Sequence, residues 1–118
     1  MYDRQKVAEL RKELVFFNKL LYDRYLTSGT SGNVSVRVPG EKELYLIKAS
    51  GVCFGLATEQ DFVLIDGNGN VVEGEGRPSK EWRFHVGIMR QRPEVNAVIH
   101  GHSSAATAYV TAYKELPV

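Results

Sequence analysis

The chain has one cysteine, Cys53, among its 118 residues, so no disulfide can form within it. A lone thiol with no activating neighbour in sequence reads as a packing or loop residue rather than a nucleophile, and it fits a reducing compartment. Long apolar runs are also missing. No stretch approaches the roughly 20 residues of a membrane span. The amino terminus, Met1-Tyr2-Asp3-Arg4-Gln5-Lys6, lacks the apolar block of a secretory signal. Charge of one sign is scarce: 15 Lys and Arg face 14 Asp and Glu, a net charge of +1. That balance argues against nucleic acid or an anionic membrane as the main partner. Repeats, low-complexity blocks and linkers are absent. These exclusions leave the expectation of a soluble cytoplasmic protein acting on small molecules. Its 43% hydrophobic content is enough for the core of one domain, taken as residues 1–118.

What is present divides into alternating elements. Val7, Leu10, Leu14, Phe17 and Leu21 recur at spacings of three and four, which defines one face of a helix flanked by Lys6, Glu9, Arg11, Lys12 and Glu13. The pattern dissolves into Thr27-Ser28-Gly29-Thr30-Ser31-Gly32, and a strand follows in which Val34, Val36 and Val38 alternate with Ser35 and Arg37. Pro39-Gly40 signals a turn, Leu44 to Lys48 a strand and Phe62 to Asp66 another. Asp66-Gly67-Asn68-Gly69 is a hairpin turn, with Asn70 to Glu73 as the returning strand. A helix is expected after Pro78-Ser79, capped by Ser79 and stopped near Gln91 before Pro93. Val95 to His100 reads as a strand and Ser103 to Ala112 as a short helix. Short strands in hairpins with helices before, between and after imply an α/β or α+β layer architecture.

The chemistry concentrates between Glu75 and Ser104. In a strand, residues i and i+2 share a face, so His100 and His102 would present two imidazoles side by side. Neutral imidazole suits zinc and similar divalent ions. A bare His-x-His is a weak signal, and two unrelated histidines on a strand edge are the default. The apolar strand before His100 places the pair at the mouth of a buried sheet, and Glu81 opens the helix leading into that strand. Glu81 is therefore a carboxylate that the fold can return to the same place. Catalytic zinc sites use three protein ligands and an open position. Glu81 can be the third, or another histidine can come from elsewhere. His85, four residues on from Glu81, reads as helix packing or support for a ligand before it reads as a ligand.

Three small-residue patches favour an anion. Thr27 to Asn33 offers amides, hydroxyls and a side-chain amide without bulk, and its glycines allow successive amides to turn toward one point. Ser50-Gly51 follows a strand. Ser79-Lys80 stands at an expected helix start, where free amides and the helix dipole attract negative charge. Each alone is most simply a turn; together with a metal pair they suggest a phosphate pocket. The arrangement is not a P-loop, since no Gly-Lys-Ser/Thr follows the glycines.

These runs resemble the class II aldolase/adducin family, in particular its zinc-dependent fuculose-phosphate aldolase type. The matching stretches are Gly29 to Arg37, Ser50-Gly51, Phe62 to Gly69, Pro78 to His85, and Arg92-Pro93 through Ala97 to His102, in the family's order and spacing. The resemblance implies a three-layer α/β/α domain around a mainly antiparallel sheet. It implies that His100 and His102 bind zinc and that Glu81 is the catalytic acid/base and a further zinc ligand. It implies that Thr30, Gly32, Asn33, Ser50, Gly51 and Ser79 hold the substrate phosphate. Lys80 stands where the family usually has a second serine; it can bind phosphate as a point charge or alter the substrate. The family's third zinc-binding histidine and a catalytic tyrosine lie in sequence beyond these 118 residues, so the chain is expected to be an amino-terminal portion.

The implied reaction is reversible cleavage of a ketose 1-phosphate to dihydroxyacetone phosphate and an aldehyde through a zinc-stabilised enediolate, within a homo-oligomer that is tetrameric in the family. Two rivals stand beside it. A sugar-phosphate 4-epimerase or decarboxylase of the same fold is one, although epimerases carry aspartate at the Glu81 position. An adducin-like interaction module is the other, although such modules lack the histidine pair.

Overall fold

The structure, a computed structural model, describes residues 2–113. Met1 and residues 114–118, including the stretch Glu115 to Val118, lie outside that description. The chain runs α1 (Arg4–Asp23), β1 (Asn33–Arg37), β2 (Leu44–Lys48), two 3₁₀ turns (Phe54–Leu56 and Glu59–Asp61), β3 (Phe62–Asp66), β4 (Val71–Glu73), α2 (Trp82–Gln91), β5 (Ala97–His100) and α3 (Ser104–Tyr113). The strands form one sheet in the order β4-β3-β2-β1-β5, and every neighbouring pair is antiparallel.

The three layers follow from the twofold period of the strands. Leu46 and Leu64 turn to one face, where they join Val34, Val38, Phe54 and Phe62 under Val7 and Leu14 of α1. Tyr45, Ile47, Val63 and Ile65 turn to the other face and meet Val86 and Met89 of α2. Helices on both faces explain why β2 and β3 read as almost continuous apolar runs. This is the expected α/β arrangement, helix on sheet on helix, with an antiparallel sheet.

Three sequence expectations need correction. Phe17 is not on the buried face of α1; it is exposed, and Asn18 is buried in its place. The buried line is Val7, Leu14 and Asn18, and the Asn18 side-chain amide donates to the carbonyl of Phe54, tying α1 to the first 3₁₀ turn. Ser79 is not the cap of α2. The helix starts at Trp82 behind Glu81, with no side-chain cap; the Ser79 hydroxyl instead accepts from the Asn33 amide and from the Glu81 backbone amide in the turn before the helix. The strand carrying the histidines ends at His100, so Gly101 and His102 lie beyond it. Among the described residues β5 is an edge strand with Ile99 exposed.

At the β4 end, Asp66 accepts backbone hydrogen bonds from Asn68 and Asn70 and closes the turn into the hairpin. The same edge is tied to α1, since Arg11 and Tyr2 both donate to the Glu73 carboxylate.

Candidate active site

The antiparallel pairing of β1 with β5 sets Asn33 opposite His100. The loop before β1 must pass close to that strand, and only glycine fits there. Gly32 has φ of +80°, and a Cβ on it would sit 2.6 Å from the His100 carbonyl oxygen. Left-handed backbone and a close approach coincide at this position. From the other side, the segment before α2 lies against the end of β2. The amide of Ser50 donates to the Arg77 carbonyl (2.9 Å), and that of Ser79 to the Lys48 carbonyl (3.1 Å). Two loops and two strand ends therefore converge on one place.

A cavity of about 340 Å³ forms there. Thr30, Gly32 and Asn33 line it from the first loop, Ser50 and Gly51 from the end of β2, Ser79, Lys80 and Glu81 from the start of α2, and His100 and His102 from the end of β5. Ser31, Lys48 and Ala49 complete the wall. A larger cavity, about 760 Å³, lies beyond Ala49 and Ser50, but its acidic wall is partly self-paired: Glu73 with Arg11, and Asp61 with Thr58.

Within the smaller cavity the polar groups are ordered by one another. Glu81 Oε2 accepts from the Asn33 side-chain amide at 2.6 Å and lies 2.8 Å from Nδ1 of His100. The same Asn33 nitrogen donates to Ser79 Oγ at 2.9 Å, and the backbone amide of Glu81 reaches that oxygen at 3.3 Å. Ser79 Oγ thus accepts twice, which leaves its own O–H to donate elsewhere. The Asn33 amide, and after it His100, hold the Glu81 carboxyl below the usual glutamate value against the opposing effect of desolvation. The rings of His100 and His102 lie 4.9 Å apart between centroids, with His102 past the end of β5. Phe84 packs edge-on to His100 at 5.6 Å.

His85 lies beneath this layer, fully buried. Its Nδ1 is 2.6 Å from Ser35 Oγ, and its Nε2 is hydrogen-bonded to Asn33 Oδ1. Burial pushes its pKa down to about 4, helped by the nearby His100 and opposed by Glu81. With both ring nitrogens engaged, it sits as a support rather than at the cavity surface.

Lys48 is the wall residue that sequence reading passed over. It is 2% exposed and lines the cavity, and its ammonium donates to the carbonyls of Val52 (2.7 Å) and Ala49 (3.4 Å) beside the Phe54 ring. Burial lowers its pKa. The signal was available: a lysine that closes the run Leu44-Tyr45-Leu46-Ile47, in a strand apolar on both faces, has no solvent to reach.

As to a metal, two imidazoles and a carboxylate at one cavity wall are ligand types that suit zinc and its neighbours. All three side chains retain exposure, which leaves them room to turn toward an ion. Among the described residues no three His, Cys, Asp or Glu side chains already stand close enough to enclose a cation, and Glu81 is hydrogen-bonded to His100 instead.

Fold and site together define a sheet-centred α/β domain with a polar, histidine-bearing pocket at the strand ends. Residues 12–118 match the family model for the class II aldolase and adducin N-terminal domain, and the chain belongs to that family. It is 42% identical over 92 residues to an L-fuculose phosphate aldolase of Escherichia coli strain K12, which covers 78% of this chain and 41% of that protein. It is 36% identical over 104 residues to an L-fuculose phosphate aldolase of Methanococcus maripaludis, covering 88% of this chain and 55% of the relative. A solved L-fuculose 1-phosphate aldolase from Glaciozyma antarctica superposes with a TM-score of 0.82 at 28% identity, covering 92% of this chain and 46% of that one. The chain therefore spans about half the length of the relatives it matches. No described helix is long and apolar enough to cross a membrane.

Proposed function

We infer that the chain carries the phosphate-binding and proton-transfer part of a class II aldolase, one that cleaves a ketose 1-phosphate of the L-fuculose 1-phosphate kind to dihydroxyacetone phosphate and an aldehyde. The observation that carries this reading is the contact of Glu81 with His100 on the wall of a cavity otherwise lined by hydroxyls, amides and lysines. His100, His102 and Glu81 would hold the metal, zinc or another divalent ion, which when bound supplies a Lewis acid for charge developing on substrate oxygens.

The chain's own residues perform the rest. Oε2 of Glu81 is taken by Asn33 and His100, so Oε1 is the atom left to accept a proton from carbon next to a carbonyl. Held below the usual glutamate value, the carboxyl is ionised at neutral pH, so that oxygen is open to a proton. The hydroxyls of Thr30, Ser50 and Ser79, the amides at Gly32 and Gly51, and Lys80 form the phosphate end of the pocket, with Asn33 reaching from Ser79 to Glu81. Lys48 adds a positive charge below. An anion bound there fixes the reacting carbon relative to Glu81, which is the orientation effect that makes proton transfer efficient. A homotetrameric assembly and a cytoplasmic location belong to the same proposal.

The test is proton exchange into dihydroxyacetone phosphate. Glu81→Gln keeps the shape and the hydrogen bond from Asn33 but cannot take a proton. It is expected to slow exchange by ~10²–10⁴. Exchange at the parent rate would rule out Glu81 as the base.

A further inference from the structure

We propose that His85 is a positioning residue: it fixes the orientation of the Asn33 amide and through it the rotamer of Glu81. The proposal rests on the reading of Glu81 as the base but adds a part that the reading does not contain. A carboxylate can only accept, so the Asn33 atom 2.6 Å from Glu81 Oε2 must be the NH₂. Its carbonyl oxygen then faces His85 Nε2, which must carry the proton. A neutral ring protonated at Nε2 has a bare Nδ1, and the Ser35 hydroxyl 2.6 Å away donates to it. The chain of donors thus runs in one direction, from Ser35 to His85 to Asn33 to Glu81.

The alternative orientation is penalised twice. Turning the amide over would set Asn33 Oδ1 against the Glu81 carboxylate and point the NH₂ at the Nε2 proton. Both contacts would be repulsive, and both would be inside a layer where Ser35, Asn33, Ser79 and His85 are buried. The elements make the arrangement rigid. Asn33 and Ser35 are two residues apart on β1, so they share a face, and His85 comes down on them from α2 one turn after Glu81. A leucine in place of His85 would fill the space but leave the Asn33 carbonyl without a donor.

The test uses nitrogen-15 spectra of the 118-residue chain. Two-bond proton–nitrogen correlations of the parent are expected to show His85 neutral, with the proton on Nε2 and Nδ1 bare. A proton on Nδ1 alone, or a charged ring at neutral pH, would overturn the proposal. His85→Leu is expected to speed solvent exchange of the Asn33 side-chain amide protons about five- to tenfold, the loss of one buried hydrogen bond. His85→Gln places an amide NH₂ where Nε2 stood and is expected to restore the parent rate to within about twofold. Unchanged Asn33 exchange in His85→Leu would equally sink it. If His85→Leu does not fold, the tautomer in the parent decides. These readouts do not involve turnover, so failure of the Glu81→Gln exchange assay would remove Glu81 as base without touching them.

Discussion

His100, His102 and Glu81 stand out because imidazoles and carboxylates have few structural uses beside apolar strands. The Thr30 to Asn33 loop stands out because its glycines and hydroxyls serve no core. Lys48 is less conspicuous, because a lysine at a strand end usually escapes to water; the run before it, apolar on both faces, is the one sign that it is trapped. Its trapping yields a prediction. An ammonium buried against carbonyls, with no carboxylate bonded to it, is an unfavourable guest in the folded state, as its lowered pKa records. Lys48→Met keeps the length and removes the charge. It is expected to raise unfolding stability by about 1 kcal/mol while weakening binding of inorganic phosphate by about tenfold, the usual size of one charge-assisted contact. Denaturant melts and phosphate titrations check the two halves; a variant that is both less stable and equally good at binding phosphate would refute the account.

At the scale of elements, periodicity located the helices and strands and erred where a tertiary demand outranked the local signal. Ser79 has the side chain of a helix cap, yet Asn33 claims its hydroxyl, and α2 begins later without a cap. Phe17 fits the apolar spacing of α1, yet the helix turns Asn18 inward to reach the Phe54 carbonyl. No sequence pattern announces such long-range hydrogen bonds. The joint between α1 and β4 is another of this kind. Tyr2, then Arg11, hold the Glu73 carboxyl below the usual glutamate value. A carboxyl depressed in the folded state stabilises above its unfolded pKa of about 4.3 and ceases to do so as pH falls through the folded value. Glu73 is about one-third exposed (34%), so solvent screening limits its share to about 1 kcal/mol. Glu73→Gln is therefore expected to be less stable than the parent at pH 7 and to approach it at an acid pH below the lowered folded value, where both side chains are neutral. An equal deficit at both pH values would mean that packing, not charge, makes the joint.

At the scale of the whole molecule, the two ends of the sheet differ in a way that predicts behaviour in solution. The β4 end is a three-residue strand interrupted by a register shift against β3, carries Glu73, and is bridged to α1. Short, irregular and charged, it is a poor template for another strand. Among the described residues the β5 end has no register shift and no carboxylate of its own. Ala97-Val98-Ile99-His100 carries no carboxylate, lysine or proline, Ile99 is 56% exposed, and an apolar groove between β5 and α3 runs beside it past Leu26, Ala106 and Val110. Two such edges can meet antiparallel about a twofold axis, the simplest closed association open to identical chains. The 118-residue chain is accordingly expected to show a light-scattering mass that rises from one chain toward two with concentration. Ile99→Lys puts a charge on the outward side of the edge without touching Val98, the buried residue of that strand, or the site at His100. It is expected to hold the chain as a monomer with unchanged stability. Association of the variant at the parent's midpoint concentration would move the contact away from β5, and the exposed outer face of α1, with Phe16, Phe17 and Leu20, would be the surface to alter next.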